Sequence, residues 1–245
     1  MAIKKGSLQV ERWHSYEQIV TFFSSALNGK IKDLDFVGFD TLSIANEEFV
    51  RPETEVRLSA KTKVAMKSVI PTWDDRKPAA EMIYNLLRWG SDCAGPDNAN
   101  PMHIIYTAHE LTREDKSTGS FVRGPALPGR FIERGPGLVQ ECYHLISTSN
   151  EEDATKPLFW YVTKGDGTWP AKGSESLEMY EEPDLWNIIQ KVQKIDKQKI
   201  GRTFLLYGAT GTGKTRAFQS LLKQGLRGKI FDADGQASAR LSMYL

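Results

Sequence analysis

Residues 203–215 read TFLLYGATGTGKT, an apolar run leading straight into Gly-x-x-x-x-Gly-Lys-Thr and then into residues with helical spacing. Gly208, Gly211 and Gly213 admit backbone conformations and close approaches that a side chain would block. Successive N–H groups from Gly208 through Ala209, Thr210, Gly211, Thr212 and Gly213 can therefore point inward at phosphate oxygens. Lys214 adds a positive charge for the β- and γ-phosphates, and Thr215 offers a hydroxyl to Mg²⁺. The helix opening at Thr215 and Arg216 presents the end of its dipole that favours anions. This arrangement implies a nucleoside triphosphate, ATP, held with Mg²⁺.

A phosphate loop needs a second group to hold the metal's water shell, usually an Asp at the end of a neighbouring buried strand. LDFVGFDTLS supplies one: Phe36, Val37 and Phe39 make the strand and Asp40 ends it, so Asp40 and Thr215 are the expected metal pair. KIFDADG, at 229–235, ends a further strand in Asp232 and Asp234. One of these could orient or deprotonate an attacking water, Asp234 being favoured, and the alternative is an Asp-Gly turn with solvated acids. HIIYTAHE, at 103–110, closes on Thr107, His109 and Glu110, and a polar side chain there, His109, can touch a γ-phosphate and report its loss.

These residues need strands to carry them. Apolar runs bounded by turn residues predict strands at 8–11, 36–39, 103–107, 142–147, 159–163, 203–207 and 229–231. Helical spacing covers 15–27, 76–90, 182–194 and 214–225. The alternation predicts an α/β sandwich with a mostly parallel sheet. Segments 46–75 and 110–137 read as long loops, and 159–172 reads as a hairpin turning at Gly165-Asp166-Gly167.

Composition sets bounds around this. The 245 residues are 40% hydrophobic and 26% charged, ordinary values for one globular domain spanning 1–245. The net charge of +1 provides no global attraction to nucleic acid, so any such contact must be local. The two cysteines lie far apart without metal-type spacing, and no apolar run of about 18 residues is present to span a bilayer. The N-terminal residues lack the apolar stretch of a signal peptide, and the expectation is a cytoplasmic protein, in a host cell if phage-encoded.

Taken together, LLYGATGTGKT, KIFDADG, LDFVGFDTLS, HIIYTAHE and GPALPGRFIERGPGLVQECYHL resemble the RecA-like P-loop ATPases, and among them the phage-type, Sak-like single-strand annealing ATPases. The resemblance covers most of the chain, with only the phosphate loop individually specific. Family members begin with the phosphate-loop strand and reach the metal Asp and His strands later. Here the loop begins at Gly208 and the metal Asp is Asp40, so the sequence looks circularly permuted, its former termini joined near 189–202. A truncated tandem would require a second phosphate loop before Asp40, and the sequence has none.

The resemblance implies roles residue by residue. Asp234 falls where these enzymes carry a water-activating acid, although theirs is often Glu. His109 falls at the γ-phosphate sensor. Lys172, in WPAK after the expected closing hairpin, matches a basic residue that reaches the neighbouring subunit's phosphate, with Lys164 a weaker candidate; this implies a homo-oligomeric ring or filament. The loops after Asp40 and His109 are where family members contact single-stranded DNA. Here they carry Arg51, Arg57, Lys61, Lys63 and Lys67, then Arg113, Lys116, Arg123 and Arg130 with Phe121 available to stack. Glu53, Glu55, Glu110 and Glu114 are mixed among them, leaving open a solvated mixed-charge surface. The implied activity is an ATP-dependent annealing or recombination protein. The competing classes are an AAA-type or motor ATPase acting on protein or moving DNA, and a P-loop small-molecule kinase.

Overall fold

The computed structural model describes residues 8–47, 52, 56, 60, 77–114, 119–128, 131–153, 155–196 and 200–242. Among these, nine strands form the sheet: β1 (Leu8–Arg12), β2 (Phe36–Asp40), β3 (His103–Glu114), β4 (Phe121–Pro125), β5 (Glu141–Thr148), β6 (Leu158–Val162), β7 (Tyr180–Glu181), β8 (Thr203–Gly208) and β9 (Gly228–Asp232). Their order is β1-β9-β2-β3-β8-β5-β6-β7, and β4 pairs with β3 off this path. The six strands from β1 to β5 in that order are parallel, while β6 and β7 run antiparallel at one edge.

The sequence pattern explains the layering. β2 and β8 are buried at every position, as strands covered on both faces must be. Because successive side chains alternate, Phe39, Tyr106, Leu205 and Tyr207 enter one core, and Phe36, Ile105, Phe204 and Leu206 enter the other. The first core is closed by α1 (Tyr16–Leu27) and α3 (Lys77–Ala94), which lies later in the chain than the short α2 (Leu42–Ala45). α1 starts where Ser15 accepts a hydrogen bond from the Gln18 N–H, and it buries Ile19, Phe22, Phe23 and Ala26 along one stripe. The second core is closed by α5 (Leu185–Asp196) and α6 (Arg216–Lys223), whose Ala217, Phe218, Leu221 and Leu222 face inward.

Two expectations need correction. Most of 110–137 is ordered structure rather than loop: β3 continues to Glu114, β4 returns antiparallel from Phe121, and α4 (Phe131–Leu138) follows. Gly124 and Pro125 in β4 and Gly135, Pro136 and Gly137 in α4 carry breaker signals, but burial of Ile132, Gly135 and Pro136 overrides propensity. Nor is 159–172 a hairpin about its Gly-Asp-Gly. β6 pairs with β5 and β7, and Asp166 folds a local turn by accepting from the N–H groups of Thr168 and Trp169. The segment 46–75 lies largely outside the described residues.

Gly38 on β2 matters for placing α6. A Cβ there would lie 2.5 Å from the Phe218 ring, so the helix can sit this close only over glycine. Gly38→Ala is expected to lower the unfolding free energy by about 1–3 kcal/mol in urea denaturation, and adding Phe218→Leu should recover part of it.

Candidate functional site

Every residue singled out at a parallel-strand end lies at the C-terminal end of the parallel strands. Gly208, the last residue of β8, stands beside His109 on β3, and Asp40 at the end of β2 stands beside Asp232 on β9. The loop from Gly208 then curls through Gly211 and Gly213, both at φ +89°, a left-handed conformation that glycine adopts without strain. Lys214 is nearly buried, and its Nζ donates to the carbonyls of Gly208 and Ala209, each at 2.8 Å. Burial pushes its pKa down, an effect opposed by the negative charges of Asp40 and Glu110.

Asp40 is 2% exposed, so its carboxylate must be satisfied by the protein. The Thr215 hydroxyl donates to Oδ2 at 2.8 Å and the Thr107 hydroxyl to Oδ1 at 2.5 Å. Burial raises its pKa, and the two hydroxyls pull it back. The Asp40–Thr41 peptide is cis. Among the described residues no three His, Cys, Asp or Glu side chains gather as a metal cage. The Thr215–Asp40 pair instead offers the limited oxygen support suited to a Mg²⁺ that takes its other ligands from phosphate and water.

The two aspartates after β9 are separated by their surroundings. Asp232 is buried and accepts from the N–H groups of Gly235 at 2.9 Å and Ala237 at 3.0 Å, tying down the start of α7 (Ala237–Arg240). Burial, with a hydrogen bond to Asp234, pushes its pKa up to about 6. Asp234 is half-buried, accepts from the Gln236 N–H, and sends its charge onto Asp40, His109 and Lys214. His109 is also half-buried. Burial and then the Lys214 charge lower its pKa, leaving it neutral at pH 7. Its backbone N–H donates to Ser43 Oγ at 2.9 Å, and that hydroxyl donates to the Ala126 carbonyl.

Not all the expected residues converge. Lys172 pairs with Cys142 near the start of β5, and its Nζ donates to the Val139 carbonyl at 2.7 Å, so it does not join the loop of its own chain. Lys164 is exposed beyond β6. Arg113 and Arg123 lie on the β3–β4 hairpin with Phe121, which is 64% exposed, while Lys116 and Arg130 lie outside the described residues. Arg51, Arg57, Lys61, Lys63 and Lys67 also lie outside them.

Sequence reasoning missed the bond from Thr107 to Asp40 and the whole role of His144. That imidazole packs against both Trp169 and Tyr207, centroids 4.3 and 4.9 Å away, and hydrogen-bonds Glu110 at 2.9 Å. The available signal was a polar residue inside an otherwise apolar strand run, since such a group needs a partner when buried. No described helix is long and apolar enough to cross a membrane. No protein-family model matches the chain, and no curated protein or solved structure matches it.

The raised pKa of Asp232 has a defined sign. A carboxyl that holds its proton more tightly when folded contributes stability at low pH, and that contribution is lost as pH rises through its folded pKa of about 6. The stability of wild type minus that of Asp232→Asn should therefore fall between about pH 4 and about pH 6.5 in denaturant titrations. A flat difference would exclude the raised value.

Proposed function

We propose that this chain is a RecA-like P-loop ATPase, circularly permuted, that acts on single-stranded DNA as an oligomer. The principal support is the 2.8 Å bond from Thr215 to Asp40, which joins the phosphate-loop helix to a strand-end carboxylate 175 residues away. A buried carboxylate pairing with the threonine of a Gly-x-x-x-x-Gly-Lys-Thr loop is the relation a phosphate-bound Mg²⁺ requires. The strand order agrees: β3, bearing Thr107 and His109, lies between the phosphate-loop strand and the Asp40 strand. In the chain the Asp40 strand comes first and the phosphate-loop strand late, the inversion that a permuted RecA-like order predicts.

The residues then divide the work. Loop N–H groups and Lys214 bind the β- and γ-phosphates, and Lys214 exchanges its two carbonyl partners for phosphate oxygens. Mg²⁺, when bound, would supply positive charge that offsets the phosphates' negative charge, and Thr215 and Asp40 are the residues that would hold it. Asp234 accepts a proton from the attacking water, whose oxygen bonds the γ-phosphorus as the bond to the β-γ bridging oxygen breaks. ADP and phosphate leave. Neutral His109 donates or accepts at the γ-phosphate, and its backbone contact to Ser43 carries a change there to the root of the β3–β4 hairpin.

The DNA role is supported by that hairpin, which carries exposed Arg113 and Phe121 at its outer end and Arg123 over the Trp169 ring, a combination of cations and an exposed aromatic suited to tracking a backbone and stacking bases. Lys172 acting on a neighbouring subunit's phosphate would have to leave the Val139 carbonyl.

The test is ATP hydrolysis by the wild type and Lys214→Ala, each with and without single-stranded DNA over a salt series. Lys214→Ala should reduce turnover by about 10²-fold or more, and DNA should stimulate the wild type less as salt rises. Turnover indifferent to DNA would leave a P-loop ATPase and remove the DNA role. Asp234→Asn should lower kcat by about 10²-fold with little change in KM, separating the base from the turn-forming Asp232.

A further inference from the structure

The loop's two flanks differ, and the difference gives a bound triphosphate a direction. Thr215 and Asp40, which would hold the metal, lie on the side of the loop toward β2, two strands from β8. A nucleoside whose phosphates fill the proposed loop would then extend toward β5 and β6 on the other side. There Leu145 stands beside Gly208, Tyr161 beside Leu145, and Phe159 beside Ser147 one same-face step further out. Leu145 and Tyr161 belong to the core under α6, so alternation puts Phe159 on the α6 face just beyond the Gly208 row. Arg216, the first residue of α6, lays its guanidinium over the Phe159 ring, with Cζ 5.7 Å from the centroid. Phe159 is half-buried and Arg216 exposed.

We propose that Phe159 and Arg216 form the stacking platform for a purine base, an inference that rests on the phosphate-loop function proposed above. A guanidinium is planar and weakly hydrated, so it can stack on an aromatic ring with one face and on a base with the other. Phe159 fixes the plane, and Arg216 carries the base beside the loop that holds the phosphates. Stacking carries no hydrogen-bond code, so the platform selects for ring area, and purine nucleotides bind better than pyrimidine nucleotides.

Calorimetric binding of ATP and of inorganic tripolyphosphate, each with Mg²⁺, to the full chain separates the base from the phosphates. Phe159→Ala and Arg216→Lys, the latter keeping the charge but losing the plane, should each weaken ATP about tenfold and change tripolyphosphate less than about twofold. Retained tripolyphosphate binding also shows that the variants fold. Equal weakening of both ligands, or of neither, overturns the platform while the phosphate loop stands. Lys214→Ala should weaken both; if it weakens neither, the phosphate-loop function falls and the platform with it.

Discussion

Asp40 is a carboxylate removed from water, and the C-terminal end of the parallel strands is arranged around keeping it satisfied. Burying such a group costs several kcal/mol unless donors are supplied. The donors come from two directions: Thr107 from the adjacent strand β3, and Thr215 from the start of α6. These bonds set the height of the phosphate-loop helix against β2 and β3, and Gly38 lets that helix approach closely enough for them to form. His109 lies two residues beyond Thr107, so the same register brings it beside Gly208. Ser43, three residues beyond Asp40, continues the connection to His109 and Ala126 at the root of the β3–β4 hairpin. One buried charge thus joins Thr215 at the start of α6, His109 on β3 and the root of the β3–β4 hairpin.

Much of this was legible because it depends on local chemistry. The phosphate loop needs glycines and a lysine at fixed spacing whatever surrounds it, and strands covered on both faces read as continuous apolar runs. The strand-end position of Asp40 followed from the length of the run before it. What escaped reading depends on partners far away in the chain. β4 and α4 contain glycine and proline at positions that propensity assigns to loops, and only burial against distant residues makes them regular. The Gly-Asp-Gly of 165–167 had hairpin chemistry but no second strand to pair with, because Asp166 satisfied the following N–H groups itself. Asp232 and Asp234 are identical residues two positions apart, and sequence could not tell that the first is sealed by the backbone of α7 while the second is half-buried, with its charge felt at Lys214 and His109. Thr107 and His144 show a signal present but underread: each interrupts a buried run, and each proves to hold an acidic side chain in place.

The order of strands in space also has a consequence for the chain as it emerges from the ribosome. β8 and β9 follow the other described strands in sequence, yet each belongs to the interior of the sheet, β8 between β3 and β5 and β9 between β1 and β2. Until β8 and β9 are available, the earlier described strands have two internal gaps with unpaired N–H and C=O groups on apolar edges. Such edges are templates for pairing with another chain. The nascent protein is therefore exposed to wrong partners until these two strands arrive, and β8, which closes the central gap, is also the strand that leads into the Gly-x-x-x-x-Gly-Lys-Thr loop. Closing the gap and bringing Thr215 to Asp40 are a single event, so a chain in which that bond has formed is one whose sheet no longer has an open centre.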